Sequence, residues 1–181
     1  SRRRSGGYFF LHVARRLTQK SNVNGDREID NLARIVLVED NANDAELTLK
    51  ALSPIANEVL HLWDGAEALD YLFCRRKFAG RPAVNPAVVL LDLKMPRLDG
   101  IEVLRQIKGH PDLKRIPVVV MTSSREDRDL GACYDLGTNA YVVKPVNFTE
   151  FVDAVRQVGA FWAVLNELPP GNFFAGGGRS S

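Results

Sequence analysis

The chain has 181 residues, 45% of them hydrophobic and 25% charged. That suits one globular body of about 100–200 residues with tails, and it excludes collagen-like, disulfide-rich and wholly disordered classes. The 24 basic and 22 acidic groups leave a net charge of +2, which calls for neither a nucleic-acid nor a membrane partner.

Residues 1–20 hold six basic groups and no acid, whereas residues 34–164 hold 16 basic and 18 acidic groups. The basicity therefore belongs to a leader, and residues 1–33 are read as a basic, flexible extension. Tyr8, Phe9, Phe10 and Leu11 are too short and too interrupted an apolar core for a signal peptide. A short amphipathic helix touching a membrane is the alternative for that stretch.

The body, residues 34–164, opens on the apolar run IVLV at 35–38, suited to a strand buried on both faces. Asn41 to Asp44 offers several helix caps, Ala45, Thr48, Leu49 and Leu52 follow at helical spacing, and Pro54 closes the segment. A second strand is expected near Val59. Asp64 and Glu67 make a capping-box start for a helix carrying Ala66, Leu69, Leu72 and Phe73. Residues 74–86 contain Arg75, Arg76, Lys77 and Arg81 among glycine and prolines, and read as a long solvated connection. No aromatic interleaving there supports a nucleic-acid surface.

The run AVVLL at 87–91 is the most strand-like segment. Asp99 and Glu102 start a helix with Ile101, Leu104 and Ile107 on one face. Ile116 to Met121 gives a fourth strand, Ser124 and Asp127 open a helix that Gly137 stops, and Ala140 to Val143 gives a fifth strand. Asn147 caps a last helix whose expected buried stripe is Phe148, Phe151, Val155, Val158 and Trp162. Pro169, Pro170 and three glycines mark residues 165–181 as a flexible tail.

Strands alternating with helices imply an α/β fold: a doubly wound five-stranded parallel sheet with helices on both faces. The flavodoxin-like order 2-1-3-4-5 is favoured, and it places any site beyond the carboxyl ends of the strands. The residues there are Glu39 and Asp40 after strand one, Asp92 after strand three, Thr122 at the end of strand four, and Lys144 with Pro145 after strand five. Three convergent carboxylates call for a cation, and an all-oxygen set suits Mg²⁺. A lysine and a hydroxyl beside them complete a phosphoryl-transfer arrangement, with a carboxylate as nucleophile.

Cys74 and Cys133 lie 59 residues apart without a CxxC, and His12, His61 and His110 are scattered, so no zinc site is expected. Both thiols read as reduced, in a cytoplasmic protein. The longest apolar run is six residues, far short of the ~20 that span a bilayer.

The segments IVLVEDN at 35–41, VLLDLKMP at 89–96, VVMTSS at 119–124 and YVVKP at 141–145 resemble the receiver domain of two-component response regulators. The resemblance covers residues 34–164 and implies roles. Asp92 is the phospho-acceptor. Asp40 and Glu39 are acidic Mg²⁺ (or Mn²⁺) ligands, joined by Asp92 and the backbone carbonyl of Lys94. Thr122 and Lys144 bind the phosphoryl group, Tyr141 is the aromatic switch coupled to Thr122, and the Lys144–Pro145 bond is cis. The implied function is phosphorelay signalling. A sensor histidine kinase phosphorylates the chain, which then switches a protein-interaction surface near Tyr141 or passes the group to a histidine phosphotransfer protein. Beyond its own phosphorylation and dephosphorylation such a module is no enzyme.

The connection at 73–87 and the ending FWAVLNELPP at 161–170 are similar to regulators associated with phytochrome-type kinases, a group that often dimerises. Phe161, Trp162, Leu165 and Leu168 are read as a homodimer contact. Other functions on the same sheet fit less well. A flavin site needs a phosphate-cradling loop where this chain has acids. An aspartate-based phosphatase needs a second acid where Ala42 stands. A binding partner that never phosphorylates would leave the acceptor, metal, hydroxyl and lysine positions unexplained. Lys94 is expected to overhang the phosphate and alter its hydrolysis.

Overall fold

The structure is a computed structural model that describes residues 35–56, 58–82 and 84–167. The leader expected at 1–33, and all of the tail beyond residue 167, lie outside the described residues.

Five parallel strands form one sheet in the order β2-β1-β3-β4-β5. They are β1 (Ile35–Val38), β2 (Val59–Leu62), β3 (Val88–Leu91), β4 (Val118–Thr122) and β5 (Ala140–Val143). The helices are α1 (Ala42–Leu52), α2 (Gly65–Leu72), α3 (Gly100–Gly109), α4 (Asp127–Asp135) and α5 (Phe148–Ala160).

Side chains of a strand alternate between faces, which explains why the central strands are apolar throughout. Val36, Val38, Val89, Leu91, Val118 and Val120 face one core with Leu69 and Leu72 of α2, Val103, Leu104 and Ile107 of α3, and Cys133 of α4. Ile35, Leu37, Val88, Leu90, Val119 and Met121 face the other, with Ala45 and Leu52 of α1 and Phe151 and Val155 of α5. Both cores are therefore encoded in the same three strands.

Helix starts sit where the side-chain chemistry puts them. Asn41 accepts from the N–H groups of Asn43 and Asp44, Asp64 from Glu67, Asp99 from Ile101, and Asn147 from Thr149 and Glu150. Such caps stabilise each helix by about 1 kcal/mol. Glu67 completes its end by accepting from Trp63 N–H at 2.7 Å.

Two expectations fail locally. Helix α4 starts at Asp127 without a side-chain cap, and Ser124 orders the preceding turn instead. Phe148, placed on the buried stripe by spacing, is 61% exposed because it is the first residue of α5 and lies past the sheet. Helix α5 is continued past Ala160 by a π turn, Phe161–Leu165, which carries Trp162 of the expected stripe. The connection after α2 carries a 3-10 turn, Arg76–Phe78.

Candidate phosphoryl-transfer site

The site is built at the carboxyl ends of β1, β3, β4 and β5. Parallel register brings Val38 of β1 beside Leu91 of β3, so the residues after each strand converge. Carboxylate oxygens of Glu39, Asp40 and Asp92 all lie within 4.8 Å of one another. Glu39 and Asp92 are buried, and Asp40 is the most exposed of the three.

Lys144 answers this negative charge from the end of β5. Its Nζ lies 2.5 Å from Glu39 Oε2, 2.9 Å from Asp92 Oδ2 and 2.9 Å from Asp44 Oδ2. Burial opposes the charge of this lysine, but Glu39 and Asp92 hold its ammonium well above the usual range. Burial pushes the Glu39 carboxyl up to about 7, against the pull of Lys144.

Backbone groups fix the acids. Leu93 N–H donates to Asp92 Oδ1 at 2.6 Å and Lys94 N–H to the same oxygen at 3.3 Å. Asn41 N–H donates to Glu39 Oε1 at 3.1 Å. His61 Nε2 meets the Glu39 carbonyl at 2.8 Å, and the Trp63 ring lies tilted against His61 at 4.2 Å between centroids. Gly100 lets the start of α3 close over the loop after β3. A Cβ there would stand 2.2 Å from the Asp92 carbonyl oxygen and 2.7 Å from Leu93 Cα.

Thr122 is fully buried at the end of β4, its Oγ1 accepting from Ser124 N–H at 3.2 Å. Its carbonyl accepts from Lys144 N–H at 2.8 Å, which joins the hydroxyl-bearing and lysine-bearing strand ends. Tyr141 is half-buried on β5, and its hydroxyl donates to the Ser124 carbonyl at 3.2 Å. Burial raises that phenol above its ordinary value.

The side chain of Lys94 does not overhang Asp92. Its Nζ pairs with Asp129 Oδ2 of α4 at 2.7 Å. That bond raises the lysine above its ordinary value, and the pairing with Lys94, helped by Ser124, lowers Asp129. The Lys144–Pro145 bond is trans, where the resemblance implied cis; among the described residues no peptide is cis. Trans is the intrinsic preference of an X–Pro bond by about 0.5–1 kcal/mol.

Glu39, Asp40, Asp92, Thr122 and Lys144 thus gather at one end of the sheet, Tyr141 stands further back on β5 beside Val120, and the Lys94 side chain turns to α4. Two participants were not assigned from sequence. Asp44 is the third carboxylate on Lys144; the sequence marks it only as a helix cap, and it stands in the first turn of α1. Asp129, in the first turn of α4, is singled out by no motif or spacing in the sequence.

Chemically, the site offers an all-oxygen donor cluster, a buried ammonium and a hydroxyl around a carboxylate held by two N–H groups. That set suits a hard divalent cation and a phosphoryl anion side by side.

Comparison with known proteins agrees. Residues 35–156 match the response regulator receiver domain. Response regulator Rcp1 of Synechocystis sp. is 40% identical over 137 residues, covering 75% of this chain and 92% of Rcp1. A solved Mn²⁺-bound form of Rcp1 superposes with a TM-score of 0.71 at 38% identity, covering 76% of this chain and 99% of that one. The phosphorylated cyanobacterial phytochrome response regulator RcpA gives a TM-score of 0.71 at 40% identity, covering 76% and 98%. The bacteriophytochrome response regulator AtBRR is 56% identical, covering 75% and 99%, with a TM-score of 0.61. Sheet order, the strand-end cluster and these matches together make the chain a member of the response regulator receiver family, whose function is phosphorelay signalling.

Proposed function

We propose that this chain takes a phosphoryl group from a sensor histidine kinase of the phytochrome type onto Asp92. The observation that carries the reading is the Asp92 carboxylate lying among Glu39, Asp40 and the Lys144 ammonium at 2.9 Å. Glu39, Asp40, Asp92 and the Lys94 carbonyl would hold Mg²⁺ or Mn²⁺, which when bound neutralises charge on the transferring group. A carboxylate oxygen of Asp92 bonds to phosphorus while the phosphohistidine nitrogen–phosphorus bond breaks, and that nitrogen keeps the electron pair.

Lys144 is placed to hold a phosphoryl oxygen, because its ammonium already touches Asp92. Thr122 donates its hydroxyl to the same group. The oxygen of that hydroxyl accepts the Ser124 N–H, and the carbonyl of Ser124 is where the Tyr141 hydroxyl rests. Phosphorylation thereby reaches Tyr141 through one residue, which supports the switch role of Tyr141. Outside its own phosphorylation and dephosphorylation the chain catalyses nothing in this reading.

The phytochrome-type kinase is supported by similarity to RcpA and AtBRR, and onward transfer to a histidine phosphotransfer protein completes the relay. A homodimer is supported by Phe161, 47% exposed and edge-on to Trp162 in the π turn. Leu168 of that expected contact lies outside the described residues. Among the described residues no helix is long and apolar enough to cross a membrane, and a cytoplasmic location is part of the proposal.

The test is intact-protein mass after incubation with a small phosphodonor and Mg²⁺. One phosphoryl on the wild-type chain, absent in Asp92→Asn and absent without metal, is expected. No adduct on folded protein under any condition would overturn the reading.

A further inference from the structure

Two lysines border the Asp92 carboxylate, and they are held differently. Lys144 points in. Lys94 is rooted at the acceptor, its N–H bonded to Asp92 Oδ1, yet its ammonium lies on α4 against Asp129. Asp129 is no ordinary surface acid. Its side chain is 9% exposed, and Ser124 Oγ donates to the same Oδ2 at 2.7 Å. Ser124 is fixed in turn by Thr122 Oγ1 and by the Tyr141 hydroxyl. A bonded path thus runs from Thr122 through Ser124 and Asp129 to Lys94, and back to the Asp92 loop.

We propose that Asp129 is a positioning residue: it holds the Lys94 ammonium away from Asp92 and so sets the lifetime of a phosphoryl group carried there. The inference rests on the reading of Asp92 as phospho-acceptor. A phosphoryl on Asp92 adds a second, more highly charged acceptor within reach of the flexible four-carbon stem of Lys94. Asp129 and the phosphoryl group then compete for one cation.

In hydrolysis a water oxygen bonds to phosphorus while the bond from phosphorus to the Asp92 oxygen breaks. The carboxylate keeps the electron pair, inorganic phosphate leaves with the water oxygen, and a proton passes to solvent. Attack is in line, from the side away from the carboxylate. A lysine folded over the group lies across that approach and binds its equatorial oxygens. Held on Asp129, it leaves the approach open. Removing the charge of Asp129 therefore lengthens the lifetime.

The experiment loads the full chain with a small phosphodonor and Mg²⁺, removes the donor, and follows loss of the phosphoryl mass with time. The proteins are wild type, Asp129→Asn, Lys94→Met and the double variant. Asp129→Asn keeps the shape and an acceptor for Ser124 but loses the charge. Its phosphoryl group is expected to last about threefold to fivefold longer, the scale of one ion pair. In the Lys94→Met background the same substitution is expected to change nothing, an interaction that a merely structural role would not produce. If Asp129→Asn loses its helical circular dichroism, Asp129→Ala carries the same comparison. An unchanged or shortened lifetime, or equal lengthening in the Lys94→Met background, overturns the inference alone. No adduct on the wild-type chain overturns the acceptor reading, and this inference with it.

Discussion

Two charged regions of this molecule look alike in composition and behave as opposites. At the carboxyl end of the sheet, Glu39, Asp44 and Asp92 crowd around the ammonium of Lys144, and Asp40 stands beside Glu39 and Asp92. In the connection after α2, four cations lie within seven positions, and each has its own neighbour. Arg75 stacks on Phe73, Arg76 pairs with Asp70, Lys77 with Glu67, and Arg81 covers the Tyr71 ring. Arg81 also donates to the carbonyls of Tyr71, Pro82 and Val84. The basic segment is a brace whose charge is locally answered. The acidic pocket sets four carboxylates against one lysine, and its partners come from separate strands and helices. Charge clustering in a sequence therefore says little until one knows whether the partners arrive from the same segment or from elsewhere.

The sharpest way to break the pocket is through its backbone. Gly100→Ala drives a Cβ into the Asp92 carbonyl, and backbone cannot move aside as a side chain tip can. We expect a loss of about 3 kcal/mol, read as a lowered denaturation midpoint with unchanged slope. Gly159→Ala is the control, since its Cβ meets only the tip of Leu52. It should cost clearly less.

Next in size is metal. If the pocket holds uncompensated charge, Mg²⁺ at a hundredfold excess over its dissociation constant adds about 2.7 kcal/mol of stability. A chelator should reverse the gain, and Asp40→Asn should abolish it. Thermal melts with and without the ion check both. Equal melts would place the acids in balance with Lys144 alone and erase the contrast with the basic segment.

The two cysteines sharpen the comparison chemically. Cys74 begins the basic segment and is half-buried, whereas Cys133 is fully buried, its thiol pushed up by burial to about 11. The thiolate is the reactive form, so Cys133 stays inert at pH 8 and its labelling rate rises with pH toward 11. One fast thiol in native protein and two after denaturation are expected from a colorimetric thiol reagent.

The smallest effect belongs to the brace itself. Lys77→Gln removes a solvent-exposed pair and should change stability by about 0.5 kcal/mol or less, measured by urea denaturation. A larger loss would mean that the segment carries load the pocket does not.

What the sequence made legible follows from how local each signal is. The double-faced strands, the caps at Asn41, Asp64, Asp99 and Asn147, and the strand-end residues are all set within a few positions of themselves. Parallel topology then brings Glu39, Asp92, Thr122 and Lys144 together without further information. Asp129 was hidden because its partner lies 35 positions earlier, and a helix-start acid has the same local pattern whether it faces water or a lysine. Asp44 was hidden for the same reason, its partner being 100 positions away. Phe148 fits helical spacing, but periodicity does not tell how far the sheet extends beneath a helix's first turn. The Lys144–Pro145 isomer was carried over from the resemblance rather than from these residues, and the structure differs there.

The ring of Trp63 lies tilted against His61, whose other edge holds the Glu39 carbonyl beside the acidic cluster. An indole's emission responds to charge and polarity nearby, so this pair makes the protein its own optical gauge. Trp162, the second of the chain's two tryptophans, sits in the π turn after α5 and supplies an internal reference. Arrival of an ion or a phosphoryl group is therefore expected to change the emission of the unlabelled protein, a response that titration with Mg²⁺ checks directly.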